Sequence, residues 1–292
     1  LMGEHELARD QFQSAYQVLE RLNPLLHTVE KSTLLRKLAT THEREGEYDQ
    51  ALLLLLDAQK YLETSPIAIP SEMSKIFHDA GWIYFRRGDH KSAEKNLLQA
   101  LELAENTPQL DIIASIYNRL GGVYFQNNQL EKASEYVRKS LEIRDKLGDI
   151  LAVARSHNNL GLLEWKLGRW ENALDSFNRS LALNAKIGDV EAMILIKINI
   201  ALLLTDMGRV EEARQKLEES LVGAQKIGHP FLEASAHLQF GYYWRSLQEW
   251  QKALDACHES LKIFNKIGSQ ENLIDLYSVS YTHLTLPTIY SV

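Results

Sequence analysis

Ser180-Leu181-Ala182-Leu183-Asn184-Ala185-Lys186-Ile187-Gly188-Asp189 decides how this chain folds. The same frame occurs 40 residues earlier as Ser140-Leu141 followed by Lys146-Leu147-Gly148-Asp149. It recurs as Ser220-Leu221 with Lys226-Ile227-Gly228-His229, and as Ser260-Leu261 with Lys266-Ile267-Gly268-Ser269. Each glycine stands where a helix ends in a left-handed turn. The lysine before it meets the negative end of that helix, and Asp149 and Asp189 suit the start of the next one.

Working outward, small residues at Ala39, Gly81, Gly121, Gly161, Ala201 and Gly241 are each followed twelve positions later by alanine: Ala51, Ala93, Ala133, Ala173, Ala213 and Ala253. Six tandem units follow, each a pair of helices, with Gly46, Gly88, Asn128, Gly168, Gly208 and Gln248 in the turn between the two. The small residue and the alanine let paired helices approach closely. Leu120, Leu160, Ile200, Phe240, Tyr136, Phe177 and Leu217 are expected to fill the space between pairs.

Composition agrees. The 292 residues carry six prolines and a net charge of −7, with 45% hydrophobic and 24% charged residues. That is a folded chain without the basic surface that coats nucleic acid. One cysteine, Cys257, excludes a disulfide framework. No apolar run reaches the roughly 20 residues of a membrane span, and no leader is evident, so a cytoplasmic location is expected.

Tyr117-x2-Leu120-Gly121-x2-Tyr124, Ala133-x3-Tyr136 and Asn159-Leu160-Gly161 with Ala173-x3-Phe177 resemble the tetratricopeptide repeat. The resemblance implies an all-α, right-handed superhelical solenoid of antiparallel helix pairs. The solenoid is expected over residues 1–280: a partial unit at 1–23, repeats at 29–68, 69–108, 109–149, 150–189, 190–229 and 230–269, and a partial unit at 270–280. In the first partial unit Gly3 takes the place of a turn glycine. Residues 281–292 abandon the pattern and resemble an adapter-derived sequence end. With the array cut mid-repeat at its start, the parent protein is expected to be longer. The family's usual proline position holds Glu105, Asp145, Ala185, Gln225 and Asn265, so the second helix is expected to run through it. Repeats lengthened in this way are similar to those of spindle-orientation adaptors and bacterial signalling regulators. The alanine spacing stretches to 42 between Ala51 and Ala93, placing a bend at Pro66–Pro70.

No phosphate loop, His-Glu-x-x-His, calcium loop or nucleophile elbow occurs, so neither catalysis, metal nor cofactor is expected. His157 and His237 read as structural and Cys257 as a buried hydrophobe. By the resemblance, the concave wall takes its side chains from the first helix of each pair. The candidate peptide-binding residues are Arg36, Lys75, Trp82, Phe85, Arg86, Asn118, Phe125, Arg155, Asn158, Trp165, Lys166, Tyr242 and Arg245. Over the whole wall seven bases (with Arg44) face two acids, Glu43 and Asp206, and arginine beside aromatic side chains is the composition of binding hot spots. The expected function is a non-catalytic protein–protein interaction module, the regulatory or sensory segment of a larger bacterial signalling protein. Its partner would be an acidic peptide segment, with no direct contact to nucleic acid or membrane. The alternative is a receptor for a short signalling peptide or small effector that switches the solenoid's conformation.

Overall fold

Apolar residues recurring at helical spacing, with breakers confined to the turns, leave only helices to form. The computed structural model describes residues 2–21, 27–65, 69–105 and 107–268. Among them are thirteen helices and no strand. A single helix, α1 (Met2–Glu20), precedes six hairpins: α2 (Thr28–Arg44) with α3 (Tyr48–Glu63), α4 (Pro70–Arg86) with α5 (His90–Ala104), α6 (Leu110–Gln126) with α7 (Leu130–Leu147), α8 (Ile150–Lys166) with α9 (Trp170–Ile187), α10 (Val190–Asp206) with α11 (Val210–Ile227), and α12 (Pro230–Ser246) with α13 (Trp250–Ile267). Even-numbered helices are here the A helices and the odd-numbered helices from α3 onward the B helices. The chain divides after Gly148 into two compact units of three hairpins each. Within each unit successive A helices lie against one another, α2 with α4 and α4 with α6, then α8 with α10 and α10 with α12. Successive B helices do not approach to the same degree, so each unit curves with its A helices inside.

The punctuation read from the sequence is in place. Gly148, Gly188, Gly228 and Gly268 cap their B helices in the left-handed region, and Asp149 and Asp189 accept from the amides of Ala152 and Ala192 at 3.0 Å. Where that glycine is missing the B helix is shorter. α5 stops at Ala104, so Glu105 is its cap rather than a residue the helix runs through, contrary to expectation. Gly3 likewise lies inside α1 rather than in a turn before it. The middle of the Pro66–Pro70 segment, the partial unit 270–280 and the tail 281–292 lie outside the described residues.

The frame serine has a structural task. Ser140, Ser180 and Ser260 are fully buried, and each donates from B to an A-helix carbonyl 26 residues earlier: Ala114 (2.6 Å), Ala154 (2.7 Å) and Ala234 (2.8 Å). In the second hairpin the pair is exchanged, and Ser74 on α4 donates to the carbonyl of Ala100 on α5 at 2.7 Å. In the fifth, Ile194 replaces the A-helix alanine. Ser220 then stands 3.5 Å from its carbonyl and bonds instead to Lys216 of its own helix at 2.7 Å. Room for Ile194 comes from Gly223, where the frame elsewhere has Ile143, Leu183 and Ile263; a Cβ there would meet Ile194 at 3.2 Å.

Close approach within hairpins rests on the small A-helix residue. A Cβ on Gly161 would lie 2.6 Å from the ring of Phe177, which is fully buried. Cys257 is buried in the equivalent place facing Gly241, and burial pushes its thiol above the ordinary range.

Candidate functional site on the A helices

In the amino-terminal unit the A helices α2, α4 and α6 bring charged residues together in a way the sequence alone did not reveal. Arg36 Nη1 donates to Asp79 at 2.9 Å, and Arg119 lies 3.9 Å from the other oxygen of that carboxylate. His78 Nδ1 lies 3.0 Å from Asp79, while its Nε2 lies 2.9 Å from the hydroxyl of Ser115. Burial drives the His78 pKa down, so the ring is neutral, with Nδ1–H donating to Asp79 and Nε2 accepting from Ser115. Burial pushes Asp79 upward, but the bond from His78 and the charges of Arg36 and Arg119 outweigh it, and the carboxyl stays below its usual range. Arg119 also donates to the backbone carbonyl of His78 at 2.9 Å; its burial brings the guanidinium down to about 10.

Above this floor lies an open recess of about 370 Å³, lined by Thr40, Glu43, Arg44, Trp82, Arg86 and Arg119 among others. The Arg119 guanidinium lies 4.9 Å from the Trp82 ring centre and that of Arg86 5.8 Å, and Phe85 stacks on Trp82 at 5.5 Å. Glu43 is buried, with one carboxylate oxygen lacking a hydrogen-bond donor and Arg86 Nη1 3.6 Å away. Arg44 and Arg86 form the exposed rim. Buried charges on the floor thus balance, Arg36 and Arg119 against Asp79 and Glu43, and the cationic excess sits at the edge.

Not every side chain of the A helices is available. Glu43 and His78 are buried, and Ile198 packs in an apolar cluster with Ala224 and Leu232. Lys75 is held by Glu72 and Arg36 by Asp79, so the excess of bases counted from sequence is partly neutralised by acids from neighbouring helical positions. Asn118 is partly buried and its amide oxygen has no hydrogen-bond partner; Phe125 is partly buried.

The carboxy-terminal unit has a different wall. Asn199 Nδ2 donates to Asn158 at 3.1 Å, and Trp165 Nε1 donates to Asp206 at 2.8 Å. Arg155 and Lys166 are exposed, and Arg245 lies over the Tyr242 ring at 5.1 Å. Between them lie apolar side chains, Leu162, Leu202 and Leu238 partly buried and Leu195 44% exposed. In both units the residue three before the small position on one A helix meets the residue two before it on the next: Arg36 with Asp79, His78 with Arg119, Asn158 with Asn199. Ile198 breaks the series, and the side-chain oxygen of Gln239, next in line, is buried with no donor. The signal that would have found Asp79 and Arg119 is this column of Lys37, Asp79, Arg119, Asn159, Asn199 and Gln239, polar in every repeat.

Elsewhere, His42, Glu45 and Glu47 gather at the exposed turn after α2, where His42 meets Glu47 and Arg9 donates to Glu45 at 2.8 Å. No described helix is long and apolar enough to cross a membrane.

Residues 74–107 and 112–186 match family models of the tetratricopeptide repeat. No curated protein matches the sequence. Among solved structures, the apo form of RapI superposes with a TM-score of 0.67 at 15% identity, over 86% of this chain and 96% of that one. A Rap protein complexed with competence and sporulation factor gives 0.62 at 15% identity, over 92% and 77%. A STAND signal-transduction ATPase with a tetratricopeptide-repeat sensor, from Pyrococcus horikoshii, gives 0.63 at 20%, over 92% of this chain and 42% of that one. At these identities the likeness establishes the fold.

Proposed function

Because the chain is a tetratricopeptide-repeat protein, we propose that it is a non-catalytic interaction module whose A-helix faces hold an acidic segment of another protein. The observation that carries this reading is the recess at Trp82. Two guanidiniums, of Arg119 and Arg86, lie 4.9 and 5.8 Å from one indole, Arg44 joins Arg86 at the rim, and the floor beneath is charge-balanced. A carboxylate arriving there meets Arg44 and Arg86, the latter shared with Glu43 at 3.6 Å, and apolar parts of the segment have Trp82 and Phe85 to lie on. Arg155, Lys166 and Arg245 offer the same chemistry in the second unit. We place the module as the regulatory or sensory part of a bacterial signalling protein. Its fold likeness to a STAND sensor and to Rap proteins supports that placement. A second reading, a free signalling peptide as ligand, is favoured by the similar structure of a Rap conjugation gene regulator in complex with the Phr* peptide.

The test is fluorescence anisotropy with a labelled glutamate-rich peptide and its glutamine counterpart, at two salt concentrations. Binding should require the glutamates and weaken with salt. Arg44→Glu with Arg86→Glu should cost about tenfold or more in affinity, roughly 1.4 kcal/mol, and Arg155→Glu with Lys166→Glu should cost a comparable amount. Equal binding of both peptides, or unchanged affinity and salt dependence in the variants, removes the acidic-partner reading. Compaction in solution scattering on peptide addition would favour the switching receptor over a rigid adaptor.

A further inference from the structure

Along α3, Asp49, Leu53, Leu56 and Lys60 follow one another at spacings of four, three and four residues, which lines them up in one stripe on the helix. The stripe faces outward. Leu53 is 57% exposed and Leu56 48%, while the side chains of Asp49 and Lys60 are 81% and 62% exposed. The later B helices fill the two leucine slots with Lys95 and Leu98, Glu135 and Arg138, Asp175 and Asn178, Gln215 and Glu218, and Asp255 and His258. Only α3 has leucine at both. Beside the stripe runs a groove of about 400 Å³, its walls largely apolar and including Leu52, Leu55, Ile76, Phe77, Ala80 and Tyr84.

We propose that this stripe is a self-association surface, on which α3 of a second copy of the chain lies antiparallel. A two-fold axis passing midway between Leu53 and Leu56 sets each Leu53 on the partner's Leu56 and each Asp49 on the partner's Lys60. The apolar centre is then closed at both ends by opposite charges. A parallel arrangement would set Asp49 on the partner's Asp49 and Lys60 on the partner's Lys60, so the charge order selects the antiparallel one. The groove gives the incoming leucines an apolar seat. Asp49 now accepts from Arg87 at 2.7 Å and Lys60 pairs with Asp57 at 2.9 Å. Both pairs are exposed and cheaply exchanged. One helix pair buries less than the roughly 1,600 Å² of a standard interface, so the dimer is weak, with a dissociation constant of about 10–100 μM.

Sedimentation velocity over about 5–500 μM full-length chain, a range that brackets that constant, tests this. The mass should climb from 33.4 kDa toward twice that value. Leu53→Glu with Leu56→Glu should hold it at the monomer, with an unchanged circular dichroism spectrum because both positions face solvent. Asp49→Lys and Lys60→Asp should each be monomeric alone, associate when mixed, and regain self-association when combined in one chain. A constant monomer mass for the unaltered chain overturns the proposal. So does undiminished association of the double-glutamate variant, or self-association of Asp49→Lys alone at wild-type strength.

Discussion

Replacing Asp79 by leucine should destabilise the amino-terminal unit more than almost any other single change on its A helices. The carboxylate lies 2.9 Å from Arg36, 3.9 Å from Arg119 and 3.0 Å from His78, and the side chains of all but His78 are about one-fifth exposed. Breaking a buried ion pair from one side costs about 3–5 kcal/mol, because the partner charge stays buried without compensation. With a fifth of each group still wetted, about 2–4 kcal/mol is expected. Removing one pair as a whole, Arg36→Met together with Asp79→Leu, leaves Arg119 against Glu43 and should return most of that loss, to within about 1 kcal/mol of the parent. Urea unfolding measures the total. Amide exchange localises it, since protection should fall in α4 and α6 and stay unchanged in α8 to α13. The pH dependence follows from the same contacts. Both His78 and Asp79 hold their protons less tightly when folded. Acid therefore favours the unfolded chain, first below about pH 6.5 as unfolded His78 protonates, then below about pH 3.9 as Asp79 follows. Stability is full above both values, and Asp79→Leu should shrink the lower step by the share Asp79 contributes, leaving that of the other depressed carboxyls, Asp89, Glu135, Glu212 and Glu219. A cost under about 1 kcal/mol, or equal loss of protection in both units, would refute the argument that this network is buried and mutually dependent.

Gly161→Ala should cost about 1–3 kcal/mol in urea unfolding, since its methyl would press on the fully buried Phe177 ring. Gly241→Ala should cost less, because the atom it meets most closely is the Cys257 sulfur, which can rotate away. Gln248 holds φ 61° in a turn where four other hairpins have glycine, so Gln248→Gly should raise stability by about 0.5–1 kcal/mol; an unchanged urea midpoint would contradict that strain. Ser180→Ala should cost about 1 kcal/mol by leaving the Ala154 carbonyl without its buried donor, readable as faster exchange at the junction of α8 and α9.

The helical boundaries were legible because each is set by local chemistry: a left-handed glycine, a capping aspartate, a small residue at a helix crossing. Leu120, Leu160, Ile200, Phe177 and Leu217 are buried as their positions required. The candidate site was less legible, because an ion pair between neighbouring A helices joins residues some 40 positions apart that a face-by-face count assigns to different roles. Arg36 reads as a wall cation until Asp79, one position out of its column, is placed 2.9 Å away. Glu105 was misjudged for the opposite reason. Its slot matches the longer repeats, but without the terminal glycine the helix has no cap to carry it further.

The exchanged serine of the second hairpin bears on how such arrays can be rearranged. Grafting α4 onto α7 would set Ser74 opposite Ser140, and grafting α6 onto α5 would set Ala114 opposite Ala100 with no hydroxyl between them. Recombination that cuts between hairpins keeps each donor with its acceptor, whereas a crossover inside the turn that joins half of the second hairpin to half of the third, fourth or sixth leaves two hydroxyls or none at the contact. For the second hairpin the unit that can be exchanged intact is the helix pair, and the single helix is not.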